Sequence, residues 1–131
     1  MATVLIVESY PNLASLYHDI LSEEGHQVFV AADEKEANEI AREQEIELLL
    51  MDEDYPGGGE EALIQRLKAV QPNIKAVLCS LTRFSRKAYR DLCDDGYIRS
   101  SDFTTLQQKV KRLSKRIAGT TGKERQTPHS A

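Results

Sequence analysis

Four short, unbroken apolar runs punctuate the chain: Val4-Leu5-Ile6-Val7, Val28-Phe29-Val30, Leu48-Leu49-Leu50-Met51 and Ala76-Val77-Leu78-Cys79. A weaker fifth sits at Tyr97-Ile98. Runs without polar alternation are what strands covered on both faces look like. Between them the apolar positions take helical spacing. Leu13, Leu16, Tyr17, Ile20 and Leu21 form one stripe, closed by Gly25. Asp33 has the chemistry of an N-cap for a second, charge-rich helix facing inward through Ala37, Ile40 and Ala41. A third carries Leu63, Ile64, Leu67 and Val70 and must stop before Pro72. A weaker fourth is read over 84–93. The last starts at Ser101 or Asp102 and shows Leu106, Val110, Leu113 and Ile117. Five strand–helix units in succession predict an α/β domain, a parallel sheet with helices on both faces.

The chain has 131 residues, enough for one core and too few for two ordinary domains. Beyond Ile117 no apolar periodicity remains, so the reading is one domain over 1–117 and a flexible tail over 118–131. No apolar run approaches the roughly 20 residues that span a bilayer, and nothing before Thr3 resembles a signal peptide. Cys79 and Cys93 lack metal or redox spacing; Cys79 reads as a buried thiol, and the expected compartment is the cytoplasm. Net charge is −4 but uneven. Residues 101–131 hold Lys109, Lys111, Arg112, Lys115, Arg116, Lys123 and Arg125 against Asp102 and Glu124. No aromatic residue interleaves with these bases, so the sequence favours a solvated basic face over a nucleic-acid partner.

In open α/β sheets functional groups collect at the carboxyl ends of the strands. Those ends are Glu8-Ser9, Asp52-Glu53-Asp54, Ser80 and Arg99-Ser100. If strands one and three are neighbours, Glu8 and Asp52 converge. Two adjacent carboxylates repel unless a cation joins them, and magnesium suits a half-open cluster of carboxylates, waters and a phosphate oxygen. An aspartate so placed can also act as a nucleophile toward phosphorus.

These segments, in this order, resemble the receiver domain of two-component response regulators over residues 2–117. Val4-Leu5-Ile6-Val7-Glu8-Ser9 resembles the opening strand and its acidic pair, and Leu48 through Gly57 the phosphoacceptor segment with its proline four residues after Asp52. Val77-Leu78-Cys79-Ser80 resembles the strand ending in the switch hydroxyl, and Asp95-Gly96-Tyr97-Ile98 the strand with the switch aromatic. The resemblance implies a flavodoxin-like, doubly wound (βα)5 three-layer sandwich with strand order 2-1-3-4-5. It implies that Asp52 takes a phosphoryl group from a sensor histidine kinase or phosphotransfer protein. Glu8, Asp52 and the backbone carbonyl of Asp54 would hold Mg2+, Ser80 would bond the phosphoryl group, and Tyr97 would rotate between two states. The output would pass to a protein partner through the fourth helix, fifth strand and fifth helix, with a homodimer among the states allowed. It implies a self-catalysed phosphoacceptor and not a multi-turnover enzyme.

The sequence departs from that pattern. Ser9 stands where the family has a second magnesium aspartate, so the ion should bind weakly. Ser100 and Ser101 replace a lysine and the proline after it; Arg99 should point to the other face of its strand, and Arg83, Arg86 or Lys87 are the cations left to compensate. Gly57-Gly58-Gly59 with Glu60 reads as a mobile loop, lacking the Lys-Ser/Thr of a P-loop. The alternative reading is therefore an atypical pseudo-receiver, a phosphorylation-independent interaction module. Flavin mononucleotide binding is disfavoured by Glu8-Ser9-Tyr10-Pro11-Asn12-Leu13, which is not a hydroxyl- and glycine-rich phosphate loop.

Overall fold

The computed structural model describes residues 2–52, 60–80, 95–98 and 103–125; within these, the side chains of 52, 60–61, 78–80, 95–98 and 115–125 are not described. Strands β1 (Thr3–Val7), β2 (Gln27–Ala31), β3 (Leu48–Asp52), β4 (Lys75–Ser80) and β5 (Asp95–Ile98) form one sheet in the order β2-β1-β3-β4-β5, and every pair is parallel. Helices α1 (Pro11–Glu23), α2 (Glu34–Glu43) and α3 (Glu60–Val70) and the C-terminal helix (Phe103–Arg125) complete the described elements. The segment read as a fourth helix, the glycine triplet, Asp54 and Ser100 lie outside the described residues.

Strand alternation sorts the core into two layers. Leu5, Val7, Leu49, Met51 and Ala76 pack with Ala37, Ala41, Leu63, Ile64 and Leu67, the inward faces of α2 and α3. Val4, Ile6, Leu48, Leu50 and Val77 face the other way, onto Tyr17 and Leu21 of α1 and Leu106, Val110 and Leu113 of the C-terminal helix. This is why β1 and β3 read as continuous apolar runs: both faces are covered.

Two predicted stripes shift on contact with the sheet. In α1 the buried positions are Ala14, Tyr17 and Leu21, while Leu16 is 40% exposed. Ala14 is buried although it is the smaller side chain, and Leu16 lies on the outer margin of the stripe. Val70, counted inward on α3, is also exposed. The C-terminal helix, in turn, continues to Arg125, past Ile117, where the sequence placed a tail.

Local chemistry fixes the helix ends. Gly25 adopts φ +90°, and its N–H donates to Ser22 O while His26 N–H donates to Leu21 O, a Schellman closure of α1. The Asp33 carboxylate accepts from the Glu36 N–H at 2.9 Å, and the Glu36 carboxylate accepts from the Ala32 N–H at 3.0 Å, a reciprocal cap close to the capping box. The amino edge of the sheet is stitched by polar side chains. Thr3 N–H donates to the Glu47 carboxylate, Ile46 N–H donates to Gln71 Oε1, and Gln71 Nε2 donates to the carbonyls of Ala41 and Gln44.

The Ala2 N–H donates to His26 Nδ1 at 3.0 Å, so the neutral ring with its proton on Nε2 fits this bond and the imidazolium does not. Burial, with a smaller contribution from the positive chain terminus, pushes the His26 pKa below its ordinary 6.5, and Glu24 opposes this weakly. Since the folded pKa lies below the unfolded one, this stabilisation is complete above about pH 6.5 and is lost as pH falls from there toward the folded value. The urea midpoint is expected to drop between pH 7 and 5.5, and His26→Gln to flatten that drop. In the core, Leu49→Ala should cost about 2–5 kcal/mol, read from the same denaturation curves.

Candidate functional site

The carboxyl edge begins where β1 ends. Glu8 is only 4% exposed, and its N–H donates to Ala31 O at 3.0 Å, which continues the β1–β2 pairing by one residue. Tyr10 is the N-cap of α1 but offers no side-chain cap, and Pro11 occupies the first turn. Glu8 fills that gap: its carboxylate accepts from the Tyr10 N–H at 3.1 Å. A negative group is favoured at a helix N-terminus, which helps a carboxylate tolerate this burial. The next residue, Ser9, is exposed.

The register aligns the other candidates. Val7 pairs with Met51, so Glu8 and Asp52 each follow one residue later on neighbouring strands. Asp52 pairs with Cys79, Cys79 with Tyr97, and Ser80 with Ile98. Glu8, Asp52 and Ser80 therefore stand at the carboxyl ends of three adjacent strands, with Asp52 in the middle. Tyr97 shares the row of Asp52 two strands away, about 10 Å at the usual strand spacing. Asp52, Ser80 and Tyr97 are placed here by backbone register alone. Among the described residues no group of three His, Cys, Asp or Glu side chains gathers into a metal cage. The donor chemistry nevertheless suits a hard cation: a buried Glu8 carboxylate stands beside the end of the strand that carries Asp52.

One feature escaped the sequence reading. A cleft of about 330 Å3 lies between α1 and the β2–α2 connection, with Glu8, Ser9, His18 and Glu36 among its polar lining. His18, set aside as a helix residue away from the strand ends, reaches this cleft, as does Glu36. The Asp33-to-Glu36 spacing was the available signal, because a reciprocal cap turns Glu36 back toward the end of β2.

Residues 4–111 match the model of the response regulator receiver domain. The chain belongs to that family. It is 28% identical over 75 residues to sporulation initiation phosphotransferase F of Bacillus subtilis, an alignment covering 57% of this chain and 60% of that protein. The chain thus spans about three fifths of that relative's length. Among solved structures, a two-component response regulator from Clostridium difficile superposes with a TM-score of 0.79 at 18% identity, covering 89% of this chain and 98% of the other. Response regulator TrrA from Thermotoga maritima, solved in complex with Mg2+–BeF, gives 0.71 at 24% identity, covering 86% and 99%. At such identities the likeness establishes the flavodoxin-like fold alone. Among the described residues of the receiver domain no helix is long and apolar enough to cross a membrane.

Replacing Glu8 separates its capping role from its charge. Glu8→Ala removes the acceptor of the Tyr10 N–H and opens a buried volume, and should cost about 1–3 kcal/mol. Glu8→Gln keeps an acceptor oxygen and should lose about 1 kcal/mol less, both measured by urea denaturation.

Proposed function

We propose that this receiver domain accepts a phosphoryl group on Asp52 and thereby switches a protein-binding surface. The observation that carries the reading is the position of Asp52 between Glu8 and Ser80 at the carboxyl edge of three adjacent parallel strands. The donor would be a phosphohistidine on a sensor kinase or phosphotransfer protein. The N–P bond of the donor breaks, an O–P bond forms on an Asp52 carboxylate oxygen, and the histidine leaves protonated. Glu8, Asp52 and the Asp54 carbonyl would hold Mg2+, which when bound offsets negative charge on the carboxylates and the phosphoryl oxygens. The Mg2+–BeF complex of the Thermotoga relative supports the choice of ion. Ser80 would donate its hydroxyl to the phosphoryl group and Tyr97 would follow that movement. The fourth helix, β5 and the C-terminal helix would carry the change to a partner. The chain acts as a self-modifying phosphoacceptor in the cytoplasm, not as a multi-turnover enzyme.

A second reading rests on Ser9, which is exposed and neutral where a second carboxylate would strengthen the cation site. In that reading the domain docks to its partner without phosphorylation.

Incubation with Mg2+ and acetyl phosphate distinguishes the two. The phosphoacceptor reading expects an adduct of about 80 Da by intact mass, absent from Asp52→Asn and lost on chelating the metal. Ser9→Asp should lower the Mg2+ concentration needed for half-maximal labelling. No adduct at millimolar Mg2+, in the native chain and in Ser9→Asp alike, selects the interaction module.

A further inference from the structure

β2 is the outermost strand on one side of the sheet, and among the described strands it pairs with β1 alone. Two bonds fix the direction of its backbone groups: Gln27 N–H donates to Ala2 O, and Ala31 O accepts from Glu8 N–H. In a parallel ladder alternate residues turn both their N–H and their C=O to the same neighbour. Gln27, Phe29 and Ala31 therefore face β1, and Val28 and Val30 turn two N–H and two C=O groups outward. The next outward N–H, that of Ala32, is taken by the Glu36 carboxylate at 3.0 Å. The open stretch of edge is thus short and bounded. Sheet edges are often blunted by a charge, a proline or a bulge. Residues 27–32 contain no charge and no proline, and the register with β1 runs unbroken from Gln27 to Ala31.

The two sides of this edge differ in chemistry. Val28 packs with the α1 layer, and Val30 lines the 330 Å3 cleft together with Ser15 and His18 of α1. That cleft leaves room beside the strand. Phe29 packs on the α2 side. On α2, Glu36, Glu39 and Glu43 are exposed and follow one another at spacings of three and four, along one side of the helix. Because Glu36 reaches Ala32, that side is the one turned toward the edge. Lys35 and Arg42, seven apart, fall on a separate line nearer α3, where Glu34 pairs with Arg66. Residues 9–45 as a whole hold nine acids against those two bases, in a chain whose net charge is only −4. A second copy paired edge to edge here would bring the same acids against themselves, which costs stability.

We propose that the β2 edge takes up an extended protein segment as an added strand, one with basic side chains at alternate positions. Val28 and Val30 supply the main-chain bonds of such an addition, and the pockets for alternate side chains supply its selectivity. Successive side chains of a strand point to opposite faces. The basic ones would stand on the α2 side, facing Glu36, Glu39 and Glu43, and the small apolar ones between them would lie beside Val30 on the α1 side. The open stretch engages about four residues of the partner, some 13 Å at the usual rise per residue. Neither Asp52 nor its phosphorylation enters the argument.

The test is fluorescence anisotropy of the labelled peptide KVRVKV with the full chain, beside amide exchange of the complex by NMR. A Kd on the order of 10–100 μM at about 25 mM NaCl is expected, weakening severalfold at about 200 mM as the charges are screened. The acidic peptide EVEVEV should not bind. At saturation the Val28 and Val30 amide protons, which face solvent in the free domain, should exchange at least tenfold more slowly, while that of Phe29, already bonded to β1, should change little. Val30→Pro removes an outward donor that the β1 ladder does not use, so it should keep its urea midpoint to within a small shift and lose at least tenfold in affinity. Glu39→Lys/Glu43→Lys should weaken binding to a similar extent while leaving the Glu36 cap in place. Asp52→Asn should bind as the native chain does, so this inference and the phosphoacceptor reading can fail separately. No binding at the lowest salt, equal binding of EVEVEV, or binding that leaves the Val28 and Val30 amides unprotected would overturn the proposal.

Discussion

The parallel ladder between β1, β3 and β4 is the constraint on which the rest of this domain depends. β3 lies at the centre of the sheet, and Leu48, Leu49, Leu50 and Met51 are all at most 2% exposed. A strand buried on both faces cannot pair in shifted register without pulling its apolar side chains out of one layer or the other. The pairing of Val7 with Met51 and of Asp52 with Cys79 is therefore held by the core itself. Everything at the carboxyl edge inherits its alignment from that fixed register.

The two edges of the sheet treat polar groups in opposite ways. At the amino edge, Glu47, Gln71 and His26 bond to backbone groups and close the loops beneath the core. Those bonds hold the loops to the sheet, so they contribute to stability. At the carboxyl edge, Glu8 caps α1 and also faces a cleft, and the neighbouring strand ends in a second acid. Placing carboxylates side by side costs stability unless a cation joins them. The polar groups that are spent on backbone bonds at one edge are thus matched at the other by acids that end neighbouring strands.

Much of the architecture was legible because strands and helices leave different apolar periods. The runs at Val4–Val7 and Leu48–Met51 announced strands covered on both faces, and Asp33 and Gly25 announced helix ends through their own backbone chemistry. What misled was the fine position of a stripe. Leu16 is larger and more apolar than Ala14, yet Ala14 is the buried residue and Leu16 is 40% exposed. Periodicity gives the width of an apolar face and not its centre. The end of the C-terminal helix was missed for a related reason: past Ile117 there is no apolar stripe to read, although the backbone continues its hydrogen-bonded turns to Arg125.

The candidate site divides along the same line. The sequence by itself determined which residues end the strands, and so nominated Glu8, Asp52 and Ser80, because a carboxylate or hydroxyl directly after an apolar run has few other reasons to be there; Tyr97 was nominated only by the resemblance to receiver domains. Only the tertiary structure decided that Glu8 is buried and capping α1, that Asp52 lies in register between the Glu8 and Ser80 strands, and that Glu36 and His18 share the cleft. Those facts depend on strand order and helix docking, which bring together residues distant in the chain. A one-dimensional pattern records the period of each element, whereas proximity between elements is fixed by how their buried faces fit.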